Sequence, residues 1–263
     1  MKIFRTTFAL LMLVNGIPAM AQGPDEPADT LYQVSTLAAL MTGDYEGRVE
    51  YRTVLQQGDF GLGTFAALDG EMVAVDGEFY QVRANGIATP VMDDQLTPFA
   101  IVTHFRADDS FRVSGPVTCS ELYLSLKERF PREQHFYAIR VTGRFPLLRT
   151  RSVSAQDKPY PPLAEALKQQ VVFDFSQAEA TLVGFWFPPI VAEVNVAGFH
   201  FHAIMTDIGS GGHVLDCEVE EAKVEIDRKA ELRVQFADEV RLRPPPPVEE
   251  PASRRESPSA LRW

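Results

Sequence analysis

The chain has few cysteines, few basic residues and few long apolar runs, and each shortage excludes a class of protein. Cys119 and Cys217 are the only cysteines in 263 residues, too few for a disulfide scaffold; they either pair or remain core thiols. After residue 21 no run is apolar for long enough to anchor the chain in a bilayer. The 36 acidic residues outnumber the 25 basic ones, so the chain repels phosphate backbones and anionic lipid. We therefore expect neither nucleic acid nor a membrane as a partner.

The first 21 residues have the pattern of a secretory signal peptide. Lys2 and Arg5 precede the apolar residues 8–14, and Ala19 and Ala21 provide small side chains around a cleavage point. Cleavage after Ala21 removes both basic residues and makes the mature chain still more acidic. We expect an exported protein, periplasmic or secreted, in which a small anionic substrate needs a local positive centre such as a metal ion.

The remaining residues predict one folded domain of mixed α/β character between two polar ends. Residues 22–29 form a disordered lead, residues 30–243 form the domain, and residues 244–263 form a Pro-rich tail. Within the domain we expect an α+β fold of two β-sheet subdomains with a few helices. Their boundary is predicted near residues 150–170, and a functional site is predicted at their junction.

Local patterns assign several elements of this domain. Leu31, Val34 and Leu37 have helical spacing, and Gly43 can end such a helix. Residues 47–82 instead predict short strands, with hairpin turns at the Asp-Gly pairs at 69–70 and 76–77. Thr118 and Glu121 form a capping box for a helix through SELYLSLKERF, and the second half of the chain is rich in strand patterns.

The segment GFHFHAIMTDIGSGGHVLD contains the strongest chemical pattern. Side chains at i and i+2 share one face of a strand, so His200 and His202 point the same way. The Gly-rich residues 208–212 allow a reversal that returns His213 toward them. Three neutral imidazoles with an open fourth position are typical of a catalytic zinc site, although an H-x-H pair is often only structural, and the residues alone leave both interpretations open. His104 and His135 have no partner at such a spacing, and we expect structural roles for them.

These residues are also similar to a known family. GFHFH at 198–202 with GGHVLD at 211–216 resembles the metal-binding hairpin of the acetolactate decarboxylases. Further resemblance lies in GLGTFAALDGEMVAVDGEFYQ at 61–81, TPFAIVTHF at 97–105 and TRSVSAQDKPYPPLAEAL at 150–167. The four segments follow one another in the family's order, so the resemblance is specific.

The resemblance implies an enzyme that converts 2-acetolactate to acetoin and carbon dioxide. Zn²⁺ is then the cofactor and the electron sink for the enediolate intermediate, and the three histidines are its ligands. The family's catalytic carboxylate corresponds to Glu71, with Thr64 nearby in the pocket, and its active-site arginine corresponds to Arg151. We expect Glu71 to relay the proton and Arg151 to orient the substrate carboxylate. The family commonly forms homodimers.

One part of the family's pattern is not matched in this chain. Members of the family place a glutamate from a C-terminal segment over the site, whereas the tail here is proline-rich. Glu249, Glu250 and Glu256 are candidates for that position, and no pattern selects among them. The same histidines are compatible with two other functions: an exported zinc hydrolase, and a metal-binding module without catalysis in which the hairpin holds a closed zinc site.

Overall fold

The computed structural model describes residues 29–130 and 134–236, and most of these residues are in strands. The strands are β1 (Thr30–Val34), β2 (Val49–Glu50), β3 (Phe60–Thr64), β4 (Glu71–Val75), β5 (Glu78–Val82), β6 (Ala88–Pro90), β7 (Leu96–Thr97), β8 (Ala100–Thr103), β9 (Asp109–Thr118), β10 (Phe136–Ser152), β11 (Val171–Phe187), β12 (Gly198–Met205), β13 (Gly211–Lys229) and β14 (Glu231–Gln235). The helices are α1 (Leu37–Met41), α2 (Tyr51–Val54), α3 (Cys119–Glu128) and α4 (Leu163–Ala166), with 3₁₀ turns at Ala66–Leu68, Leu167–Gln169 and Pro189–Val191.

Two main sheets organise the molecule. The first has seven strands in the order β14-β1-β8-β3-β4-β5-β6, in which only the β1–β14 pair is parallel. The second has the order β10-β11-β12-β13-β9. Because β10 also pairs with β13, strands β10 to β13 close into a ring. Strand β9 pairs with β13 farther along the edge that β12 occupies. The mixed α+β fold of two sheets with a few short helices is thus confirmed.

The two sheets pack face to face through one apolar cluster. This cluster comprises Leu31, Phe60, Leu62, Val73, Tyr80, Val82 and Ile101 from the first sheet, and Ala138, Val183, Phe185, Phe187 and Ile204 from the second. Full burial of side chains of this size contributes about 1.5–3 kcal/mol each. The first sheet gives way to the second between β8 and β9, whereas the predicted subdomain boundary near residues 150–170 falls at the end of β10 and over α4.

The helix predicted from Leu31 onward is wrong over its first half. Residues 30–34 form β1, a central strand between β14 and β8, and Leu31, Tyr32, Gln33 and Val34 are all buried. A strand buried on both faces has no alternation, so its apolar residues can match a helical spacing by coincidence. The helix is confined to α1. Thr36 is its N-cap residue, and the Thr36 hydroxyl accepts a hydrogen bond from the Ala39 amide.

A second local difference concerns residues 49–54, which were predicted as a strand. They form the short β2 followed by α2, because one helical turn buries both Tyr51 and Val54 on the same side. Other predictions are confirmed. Asp76 and Gly77 turn β4 into β5, and Asp69 and Gly70 end the longer connection from β3 to β4.

The capping box at the start of α3 is present. The Thr118 hydroxyl accepts from the Glu121 amide, and the Glu121 carboxylate accepts from the Thr118 amide. The neighbouring Cys119 forms a disulfide with Cys217, which decides the pairing that the sequence left open and joins α3 to β13. None of the helices in the described residues is long and apolar enough to cross a bilayer. The predicted signal peptide, the tail and Glu249, Glu250 and Glu256 lie outside the described residues.

Candidate active site

The three predicted metal ligands meet where β12 turns into β13. His200 and His202 lie on one face of β12, and His202 is directly opposite His213 across the β12–β13 pair. The three ring centroids are 4.9–5.2 Å apart, and one ligand atom from each side chain can be chosen so that all lie within 4.8 Å of one another. The strand alternation and the return of the hairpin therefore produce the predicted cluster.

Gly212 allows β13 to approach β10 closely beside this cluster. Its φ is +122°, and a Cβ added there would lie 2.5 Å from the Arg151 carbonyl oxygen. His213, the next residue, pairs with Arg151 of β10 in the sheet. A side chain at position 212 would thus displace either the third histidine or the arginine, which explains why glycine is needed here.

Two of the ring nitrogen atoms have the separation expected of ligands to one metal ion, and a third is free to bind. Nε2 of His200 and Nδ1 of His213 are 3.1 Å apart, close to the roughly 3.3 Å that separates two nitrogens bound at 2.0–2.1 Å to one tetrahedral ion. Nδ1 of His202 donates to the Met72 carbonyl oxygen at 2.7 Å, which leaves the lone pair on Nε2. That Nε2 is buried and has no hydrogen-bond partner among the described residues. The donor set therefore fits zinc or a similar cation.

All three imidazoles are held in the neutral form that binds metals. Burial, followed by the charge of Arg151, lowers the pKa of His200 to about 3. Burial likewise lowers the pKa of His202 and of His213 well below the ordinary value. Protonation would place positive charges in a buried site beside a guanidinium, so the histidines stay neutral near pH 7.

A buried ion pair connects the first sheet to the second at the same site. Oε1 of Glu71, the first residue of β4, accepts a hydrogen bond from Nη1 of Arg151 at 2.9 Å. Oε2 of Glu71 lies 3.5 Å from Nε2 of His202. Burial raises the pKa of Glu71, and the charge of Arg151 opposes that shift. The carboxyl group is thus adjacent both to a metal ligand and to the cation that balances it.

Thr64 holds the loop that leads to Glu71. The Thr64 hydroxyl donates to the Gly70 carbonyl oxygen at 2.7 Å, and Thr64 pairs with Glu71 across the β3–β4 ladder. Between them, Ala67 and Leu68 both have φ of +60°, a conformation that costs free energy for residues with a side chain. Thr64 therefore stabilises a strained loop and also borders the cavity.

These groups line a cavity of about 100 Å³, well below the roughly 300–1,000 Å³ of sites for drug-sized ligands. The structure brings all six predicted site residues together there: Thr64, Glu71, Arg151, His200, His202 and His213. His104 and His135 do not line it. The cavity also has an apolar side that the sequence reasoning did not identify as functional: Leu37, Leu40, Leu68, Phe99, Leu163 and Val196. Phe99 and Leu163 fall in two of the similar segments, whereas Leu37 and Leu40 had no chemical pattern to reveal them.

Comparison with known proteins assigns this chain to a family. Residues 31–243 match the family model for alpha-acetolactate decarboxylase. The chain is 46% identical over 200 residues to the alpha-acetolactate decarboxylase of Methanosarcina mazei, covering 76% of this chain and 69% of that protein. It is 40% identical over 215 residues to that of Bacillus licheniformis, covering 82% and 85% respectively. The crystal structure of alpha-acetolactate decarboxylase from Bacillus subtilis strain 168 superposes with a TM-score of 0.79 at 38% identity, covering 80% of this chain and 90% of that one. The chain therefore belongs to the alpha-acetolactate decarboxylase family.

Proposed function

We propose that this enzyme converts 2-acetolactate to acetoin and carbon dioxide and that it uses a zinc ion held by His200, His202 and His213. One observation carries the proposal: three buried neutral imidazoles meet a carboxyl group and a guanidinium in a small cavity, in a chain of this family. The cavity is too small for a large substrate. Its polar groups suit a compact anion with adjacent oxygen atoms.

The reaction sets two requirements for such a site. Loss of carbon dioxide leaves an electron pair that the neighbouring ketone oxygen must accept, and a proton must then be added to the carbon that carried the carboxylate. When bound, zinc supplies a Lewis acid for the ketone oxygen. The three neutral ligands leave the full charge of the ion available, and this local positive centre can hold an anionic substrate in an acidic protein.

Arg151 is placed to hold the substrate carboxylate. Among the residues that line the cavity it is the only arginine or lysine, and its side chain is largely buried. A guanidinium binds a carboxylate through two parallel hydrogen bonds, so it can orient the bond that breaks. Its present contact with Glu71 uses Nη1. Glu71 therefore lies close to the position that the substrate carboxylate would occupy on Arg151.

Glu71 is placed to deliver the proton. Burial raises its pKa and the charge of Arg151 opposes that shift, so this carboxyl group is a candidate to exchange a proton with the substrate. In our proposal the carboxyl proton passes to the carbon that lost carbon dioxide, and solvent then reprotonates the carboxylate. Thr64 fixes the loop before Glu71 through its bond to Gly70, so the acid approaches the substrate from one direction.

A direct assay tests the proposal. Racemic 2-acetolactate is added to three samples of the purified protein: untreated, treated with a chelator, and treated with a chelator and then resupplied with zinc. The formation of acetoin and carbon dioxide is measured in each sample. We expect both products to form, to disappear with the metal and to return with zinc. Absence of acetoin from folded, zinc-loaded protein would refute the activity. Full activity in protein shown by elemental analysis to be metal-free would refute the metal requirement. Ester or amide cleavage without carbon dioxide would instead support the hydrolase alternative.

We also propose that the protein is exported and that it forms a homodimer. Pairing of Cys119 with Cys217 supports export, because disulfides persist mainly in oxidising compartments. Fractionation of the cells that produce the chain, with N-terminal sequencing of the mature protein, tests export and cleavage after Ala21. Light scattering coupled to size exclusion tests the dimer, which rests on the family resemblance alone.

A further inference from the structure

The cavity has two chemically different sides. The polar side contains the three histidines, Glu71, Arg151 and Thr64, whereas most of the apolar lining residues belong to one separate apolar cluster. Three of the apolar residues come from two short helices: Leu37 and Leu40 from α1, and Leu163 from α4. We call these three residues the leucine wall. They come from segments that are more than 120 positions apart in sequence.

The helices of the leucine wall are packed against each other. Leu40 and Ala166 are buried in one apolar cluster, against which Leu37, Leu163 and Leu167 pack. At the end of α1, Gly43 has φ of +92° and lies so close to the Pro161 carbonyl oxygen that an added Cβ would be 2.9 Å from it. The chain before α4 therefore contacts the chain after α1 directly, and neither helix can shift alone.

Hydrogen bonds also hold α1 against the strand that carries the ligands. The amides of Leu37 and Ala38 donate to the carbonyl oxygens of Val194 and Glu193, shortly before β12. Behind them the buried Asn195 side chain donates to the buried Gln33 side chain at 2.7 Å. The side-chain amide nitrogen of Gln33 in turn donates to the backbone carbonyl oxygen of Val194 at 2.8 Å. A hydrogen-bonded buried amide pair is costly to disrupt, so it restrains α1 against the segment that leads into β12.

We infer that the leucine wall selects the substrate by the size of its alkyl substituent. This inference rests on the proposed function, in which the carboxylate, hydroxyl and ketone of the substrate bind the polar side. Those three groups occupy adjacent carbons, so the alkyl group on the central carbon is directed to the apolar side. In a cavity of about 100 Å³ with rigid walls, each added methylene group meets the leucines. Leu37, Leu40 and Leu163 therefore set the upper limit on the size of the C2 substituent.

Steady-state kinetics with a series of substrates measures this selection. kcat/KM is determined for 2-hydroxy-3-oxobutanoates that carry methyl, ethyl or propyl at C2, in the zinc-loaded parent and in three alanine variants. Leu163→Ala and Leu40→Ala enlarge the apolar side of the cavity. Leu167→Ala is the matched control, because Leu167 packs on the same cluster but does not line the cavity.

We expect the parent to prefer the methyl substrate and both wall variants to raise the ethyl-to-methyl ratio of kcat/KM by about tenfold, the lower end of the range for one methylene group. Leu167→Ala should leave the ratio unchanged. Leu163→Phe provides a test that does not depend on a cavity-forming variant, and it should lower the ratio. Equal ratios in the parent, the folded alanine variants and Leu163→Phe would overturn the inference. If the parent converts none of the three acids, the proposed function itself fails, and the inference falls with it.

Discussion

The buried histidines predict how the stability of the metal-free chain depends on pH. A histidine has an ordinary pKa of 6.5, and in the folded chain His200 has a pKa of about 3, with His202 and His213 also shifted well downward. Below pH 6.5 the unfolded chain therefore binds protons that the folded chain does not bind. The free energy of unfolding must fall as the pH falls, and this loss continues for His200 down to about pH 3.

The size of this loss in unfolding free energy follows from the ordinary histidine pKa when the pH range is centred on that value. Between pH 7.5 and 5.5 each such histidine becomes protonated in the unfolded state and stays neutral in the folded state. Together the three remove about 4 kcal/mol from the free energy of unfolding. This is a large share of the roughly 5–15 kcal/mol that stabilises a typical domain.

Urea unfolding with excess chelator, repeated at several pH values, measures this loss. The parent should lose about 4 kcal/mol more than a variant in which His200, His202 and His213 are all glutamine, and His202→Gln alone should recover about a third of that loss. His104→Gln is the matched control, because the side chain of His104 is 45% exposed and does not line the cavity. The reasoning is refuted if the parent and the triple variant lose the same free energy between pH 7.5 and 5.5.

Four further substitutions test separate parts of the site. Glu71→Gln should lower kcat by about 10²–10⁴-fold while elemental analysis finds unchanged zinc, and near-normal turnover would remove Glu71 from proton delivery. Arg151→Met should lower kcat/KM by about 10²-fold or more in initial-rate assays, because a buried charged contact to the carboxylate is lost; an unchanged value would contradict that contact. Serine at both Cys119 and Cys217 should lower the free energy of unfolding in urea by about 2–4 kcal/mol, an effect that reductant should reproduce in the parent but not in the variant. Gly212→Ala should lower zinc content, since the new Cβ would meet the Arg151 carbonyl oxygen, and full zinc occupancy would show that β13 can shift freely.

The parts of the fold that the sequence predicted are those specified by local chemistry. The Thr118 and Glu121 capping box places α3 correctly, because both hydrogen bonds form within four residues. The i, i+2 spacing of His200 and His202 and the glycines before His213 place the ligands, because they need only one hairpin. The difference at β1 arises because a central strand has no alternation, so only its pairing with β8 and β14 distinguishes it from a helix.

The rest of the site depends on contacts between distant segments. Glu71 and Arg151 are 80 positions apart, and no local pattern indicates that they pair; only the family resemblance put both in the site. The leucine wall had no such help at α1, because apolar residues in a short helix are more often core than pocket. The polar half of the site was thus predictable from spacing and resemblance, whereas the apolar half required the packing of α1 against α4.

One contact makes the metal site and the packing of the sheets interdependent. His202 belongs to the second sheet, yet its Nδ1 donates to the carbonyl oxygen of Met72 in the first, and that bond leaves Nε2 free to bind metal. Any separation of the sheets would release this imidazole and also break the Glu71–Arg151 pair. Because an ion that binds only the assembled site stabilises the assembled state, zinc should protect the contact between the sheets more than the interior of either sheet. Hydrogen exchange with and without zinc would show this as slowed exchange concentrated at β4 and β12, and uniform slowing over both sheets would argue against the coupling.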